Sequence, residues 1–98
     1  MKYDIEIEKE VINGNLKRIT NQIYKLLPTR EEGINWELPL ETIMEELSGM
    51  QRLLEQSEYL TLLSKLEGLF TLKEQEDFFL YRRTIFECLG IVNNLMVI

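Results

Sequence analysis

The sequence predicts an all-α fold: one domain over residues 1–98, built as a compact antiparallel bundle of about four helices and assembling into an oligomer. Three observations lead there. Apolar residues recur at intervals of three and four along most of the chain. The one alternating stretch, Tyr3, Ile5 and Ile7, has no second strand to pair with. The periodic segments are punctuated by helix start and stop signals at Pro28, Pro39, Ser57 and Thr71.

The first helix is placed at residues 4–27. Ile12, Leu16, Ile19, Ile23, Leu26 and Leu27 form one stripe that ends at Pro28, and Ile5, Ile12 and Ile19 lie seven apart. Gly14 is its weak point, costing about 1 kcal/mol relative to alanine. Residues 28–38, PTREEGINWEL, then read as the one substantial loop. Its single tryptophan, Trp36, either folds back as a lid on the core or stands out as a partner anchor.

The second helix is placed at 39–54, with Pro39 in the first helical position and Leu40, Ile43, Met44, Leu47, Met50 and Leu54 at helical spacing. Ser57 suits the N-cap of a third helix over 58–70, packing through Tyr59, Leu62, Leu63, Leu66, Leu69 and Phe70. Thr71-Leu72-Lys73-Glu74 reads as a capping box opening a fourth helix at 72–95. The expected core is Ile19, Ile23, Leu27, Leu40, Ile43, Leu47, Leu63, Leu66, Phe70, Phe79, Phe86 and Leu89.

The last helix carries more apolar surface than one stripe needs. With Phe79, Phe86 and Leu89 facing inward, Phe78, Ile85, Ile91, Val92 and Leu95 remain for a subunit interface, so a homo-oligomer is expected. Arg82 and Arg83 lie inside this helix, about 100° apart around it. Arg83, four residues before Glu87, is assigned a structural ion pair. Arg82 is assigned a ligand or partner contact beside Tyr81, with Arg30 as a second donor from the loop.

Charge is uneven. The net is −6, and residues 28–58 carry all of it, with eight glutamates against Arg30 and Arg52. Glu41, Glu45 and Glu46 form the densest acidic stretch. Such a surface repels nucleic acid and anionic membranes and attracts basic proteins, or else is a plain solvated face. No apolar run is long enough to span a bilayer. The acidic opening MKYDIEIEKE is unlike a secretory signal, and one cysteine, Cys88, suits a reducing compartment, so a cytoplasmic location is expected.

The chain has no histidine, which removes the commonest general base and metal ligand. A lone cysteine cannot build a zinc site, and no phosphate-binding or dinucleotide-binding motif is present. No catalysis, metal or cofactor is expected.

The strings YKLLPTREEGINWELPLETIMEELSGMQRLL and KLEGLFTLKEQEDFFLYRRTIFECLG resemble short helical proteins of Gram-positive bacterial phages and mobile elements, over roughly residues 23–90. The resemblance carries no reaction and assigns no residue. It implies a context in which small acidic proteins inhibit host defence by binding a host protein. The alternatives are an oligomeric sponge for a nucleotide signal and a structural or regulatory phage accessory protein.

Overall fold

In a computed structural model describing residues 2–96, and side chains from residue 8 onward, the chain forms four helices and no strand. They are α1 (Lys2–Glu31), α2 (Glu37–Gly49), α3 (Gln56–Leu69) and α4 (Phe78–Leu95). Short 3-10 turns at Gln51–Leu53 and Gln75–Asp77 precede α3 and α4. α4 packs against α1 and α3, and α2 packs against α1 and more lightly against α3. The long α1 gives the bundle its 51 Å dimension, against 23 and 19 Å across. Met1, Val97 and Ile98 lie outside the described residues, as do the side chains of Tyr3, Ile5 and Ile7.

α1 is one continuous helix, as the seven-residue spacing of its isoleucines suggests, but it does not stop at Pro28. It runs one turn further and ends in a Schellman motif: the Gly33 amide donates to the Arg30 carbonyl and the Ile34 amide to the Thr29 carbonyl, both at 3.0 Å. Gly33 supplies the positive φ, 74°, that this motif requires. The Thr29 hydroxyl donates to the Lys25 carbonyl at 2.7 Å, in the turn that proline interrupts.

The other boundaries also move. α2 begins at Glu37, with the Asn35 side chain accepting from the Glu37 amide at 2.9 Å, so Pro39 sits third in the helix, where no amide hydrogen bond is lost. Its end is Gly49, and the stretch expected to continue it tightens into the 3-10 turn. Thr71 closes α3 through its hydroxyl on the Gly68 carbonyl, 2.7 Å, and does not open α4. The capping box lies further on and opens the 3-10 turn that leads into α4: Glu74 caps it, and the Asp77 carboxylate accepts from the Glu74 amide at 3.2 Å.

Glu55, not Ser57, caps α3. Its carboxylate accepts from the Glu58 amide at 2.7 Å, the Ser57 hydroxyl at 2.9 Å and the Ser57 amide at 3.1 Å. These donors, the Glu58 amide foremost, hold the Glu55 carboxyl below its ordinary value of 4.5. A depressed folded pKa stabilises the fold fully above the unfolded value and ceases to do so as pH falls through the folded one. Glu55→Gln is therefore expected to lower the melting temperature at neutral pH, and the gap from wild type should close as the solution is acidified below pH 4.5. Thermal melts across that range check it, and a gap independent of pH would dissociate the cap from the carboxylate's charge.

The core combines Leu16, Ile19, Ile23 and Leu26 of α1, Leu40, Ile43 and Leu47 of α2, Leu62, Leu66 and Leu69 of α3, and Tyr81, Ile85, Cys88 and Val92 of α4. Most expected core residues are there, with Leu63, Phe70 and Leu89 half-buried at its edge. α4 is the exception, since it is rotated from the expected orientation. Phe79 and Phe86 are 78% and 45% exposed, while Ile85, Val92 and Leu95, assigned to a subunit interface, are inside this chain's own core. Phe78 and Ile91 are half-buried against that core. The inward positions 81, 85, 88, 92 and 95 follow the helical repeat as faithfully as the expected set, and they win because they form one apolar stripe along α4, whereas Arg82 and Arg83 interrupt the side that carries Phe79 and Phe86. Burial pushes the Cys88 thiol up to about 12, which leaves it a packed apolar group at neutral pH.

Candidate functional site

The candidate residues do not form one site; they fall into three places. Arg30, Trp36 and Tyr81 come together at the end of α1. The Schellman turn sends the chain back over the bundle, so Trp36 is a lid, 9% exposed, with its ring edge-on to Tyr81 at 5.0 Å and stacked on Phe70 at 6.4 Å. The Arg30 guanidinium lies 4.3 Å from the Tyr81 ring centre, 5.5 Å from Trp36 and 5.6 Å from Phe78. It donates to the main-chain carbonyls of Leu72 and, at 2.7 Å, Glu74. Arg30 thus fastens the extra turn of α1 to the α3–α4 connection, and its charge rests on aromatic faces.

Tyr81 is fully buried, and its hydroxyl has no hydrogen-bond partner among the described residues. Burial pushes the phenol's pKa up, partly opposed by Arg30. Its ring therefore serves as a platform for Arg30 and not as a surface contact. Beside this cluster an open groove of about 850 Å³ is lined by Arg30, Lys73, Glu31, Glu37, Trp36 and Phe78, among others. Lys73 pairs with Glu37 at 3.4 Å, and the two acids match the two bases, so the groove has no net positive charge to concentrate a phosphate.

Arg82 lies elsewhere, on the exposed side of α4, with its guanidinium 5.6 Å from the Phe86 ring centre. Phe86 meets Tyr24 of α1 edge-on at 6.4 Å. Arg83 makes only a 4.0 Å approach to Glu87 with both side chains exposed, so its expected structural role reduces to a surface pair of small effect. Lys65 approaches the same carboxylate more closely, at 3.3 Å.

The acidic stretch is also divided. Glu46 turns toward α1, half-buried and 3.6 Å from Arg18. Glu41 and Glu45 stay exposed on the outer face of α2 and have no cation partner among the described residues. Leu38 precedes them on that face and Ile34 lies just before the helix, both largely exposed.

The Tyr24–Phe86 pair escaped the sequence reading. The signal was present, since Tyr24 falls off the apolar stripe of α1, and Phe79, Arg82 and Phe86 share the i, i+3, i+7 spacing of one α4 face. Among the described residues no group of three or more histidine, cysteine or acidic side chains is placed to hold a metal ion, and no helix is long and apolar enough to cross a membrane. Comparison with protein-family models, with characterised proteins and with solved structures finds no match to the chain.

Proposed function

We propose that the chain is a non-catalytic binding protein of phage or mobile-element origin that inhibits a bacterial defence component by docking a basic surface on it. The phage context comes from the sequence resemblance alone. The observation that supports docking is the outer face of α2. Glu41 and Glu45 are spaced i, i+4, where like charges destabilise a helix by a few tenths of a kcal/mol, and no cation among the described residues offsets them. Leu38 and Ile34 stand exposed beside them. Apolar anchors flanked by free carboxylates suit a partner with apolar pockets edged by lysine or arginine.

The test is capture from a Gram-positive host lysate with wild type and with a Glu41→Lys/Glu45→Lys variant, the bound proteins being identified by mass spectrometry. Wild type is expected to retain a specific basic protein in a salt-sensitive way. The variant, folded by circular dichroism, should lose it, chiefly through slower association. Equal retention by the variant would reduce the face to solvated surface and overturn the reading.

A further inference from the structure

On α1 and α4 the chain leaves a second face uncovered, separate from the outer face of α2. Tyr24 is 55% exposed and Phe86 45%, and the two rings meet edge-on along the seam between the two helices. Phe79, 78% exposed, stands on the outer side of α4 two turns before Phe86. The seam is a shallow groove of about 350 Å³ lined by Tyr24, Leu27, Pro28, Glu31, Arg82 and Phe86, with Phe78 at one end. Monomeric surfaces scatter large apolar side chains singly, and clustered ones mark association. Two charges flank the aromatic centre, Glu31 on α1 and Arg82 on α4. Among the described residues neither has an ion-pair partner.

That pair of charges selects the occupant. A partner of uniform charge would meet one attraction and one repulsion here. A surface with one free acid on one helix and one free base on the other complements itself when turned about a two-fold axis. We infer that the α1–α4 face is a self-association surface that receives a second copy of this chain, with Tyr24 and Phe86 at its centre and Glu31–Arg82 ion pairs crossing it.

The axis runs along the groove, parallel to the helices. It lays α1 of each copy on α4 of the other, with the antiparallel order already present within one chain, so Tyr24 meets Phe86 of the second copy at the same height. Along α4, Arg82 is four residues from Phe86, about 6 Å, and along α1, Glu31 is seven residues from Tyr24, about 10 Å. The remaining offset of about 4 Å along the axis is within reach of an arginine and a glutamate side chain. Each copy contributes one acid and one base, so the contact closes at two subunits. The inference does not depend on the proposed partner, because the outer face of α2 takes no part in it.

Sedimentation velocity on the full chain tests it, with Arg82→Glu, Glu31→Arg, and an equimolar mixture of the two. Wild type is expected to dimerise at micromolar concentration. Each variant alone sets like charges opposite each other and should weaken self-association by about tenfold or more. The mixture should restore the dimer. In it, the acid introduced at position 82 of one copy faces the base introduced at position 31 of the other, and the native Glu31 and Arg82 pair across the second contact. Phe86→Glu places a charge at the centre and should abolish dimerisation in every mixture. Circular dichroism should show all variants helical, as these side chains are on the surface. A wild type that stays monomeric at about 100 μM, where even a weak dimer is populated, would overturn the inference. So would single variants that dimerise like wild type, or a mixture that associates no better than its components.

Discussion

Arg30→Lys is expected to lower the melting temperature substantially although it keeps the positive charge. The Arg30 guanidinium spans two carbonyls, those of Leu72 and Glu74, while lying over the Tyr81 ring. A lysine ammonium is a point donor, which neither bridges two carbonyls with one plane nor stacks on the ring. Hydrogen bonds from a charged group contribute about 1.5–3 kcal/mol each, and a cation–π contact about 0.5–2 kcal/mol. Part of that is returned as water solvates the freed carbonyls, so a net loss of about 2–3 kcal/mol is expected. In a domain of this size such a loss corresponds to roughly 10–20 °C. Tyr81→Phe is the companion measurement. It keeps the aromatic platform and removes a buried hydroxyl with no partner among the described residues, so it should leave the melting temperature unchanged or raised. An Arg30→Lys protein as stable as wild type would show that charge alone suffices there.

This junction also shows what local sequence signals can and cannot carry. The helical stripe from Ile12 to Leu27 was legible, because six apolar residues at helical spacing leave little choice of period. The end of α1 was misread because proline is the louder signal. Pro28 removes one amide, but the turn is completed by Gly33 at positive φ and held by Arg30, whose partners are more than forty residues away. No local rule encodes that long-range fastening. Trp36 read as either lid or anchor, and only the position of Tyr81 and Phe70 decides for the lid. The acidic stretch was visible as composition, yet Glu46 leaves it because its place on α2 turns it toward Arg18.

The rotation of α4 has the larger consequence for mutation. Two apolar faces were present in its sequence, and the one with Phe79, Phe86 and Leu89 was expected inside. In the bundle, α4 lies between α1 and α3, where Tyr81, Ile85, Cys88 and Val92 fill the space without exposure. The side that carries Phe79 and Phe86 also carries Arg82 and Arg83, and turning it inward would bury guanidinium charge, so it stays outside. Ile85→Ala is thus expected to cost about 2–5 kcal/mol, the range for truncating a fully buried isoleucine and leaving a cavity. Phe79→Ala removes more atoms but from a side chain that is 78% exposed, and should change the stability of the monomer by no more than about 0.5 kcal/mol. Urea melts of both variants, at a concentration low enough to suppress association, give the comparison. The midpoint should fall steeply for Ile85→Ala with an unchanged slope, and hardly move for Phe79→Ala. The opposite ranking would place Phe79 in the core and return Ile85 to the surface. It would also remove the aromatic face on which self-association depends, since Phe79, Arg82 and Phe86 share one side of the helix and must turn inward or outward together.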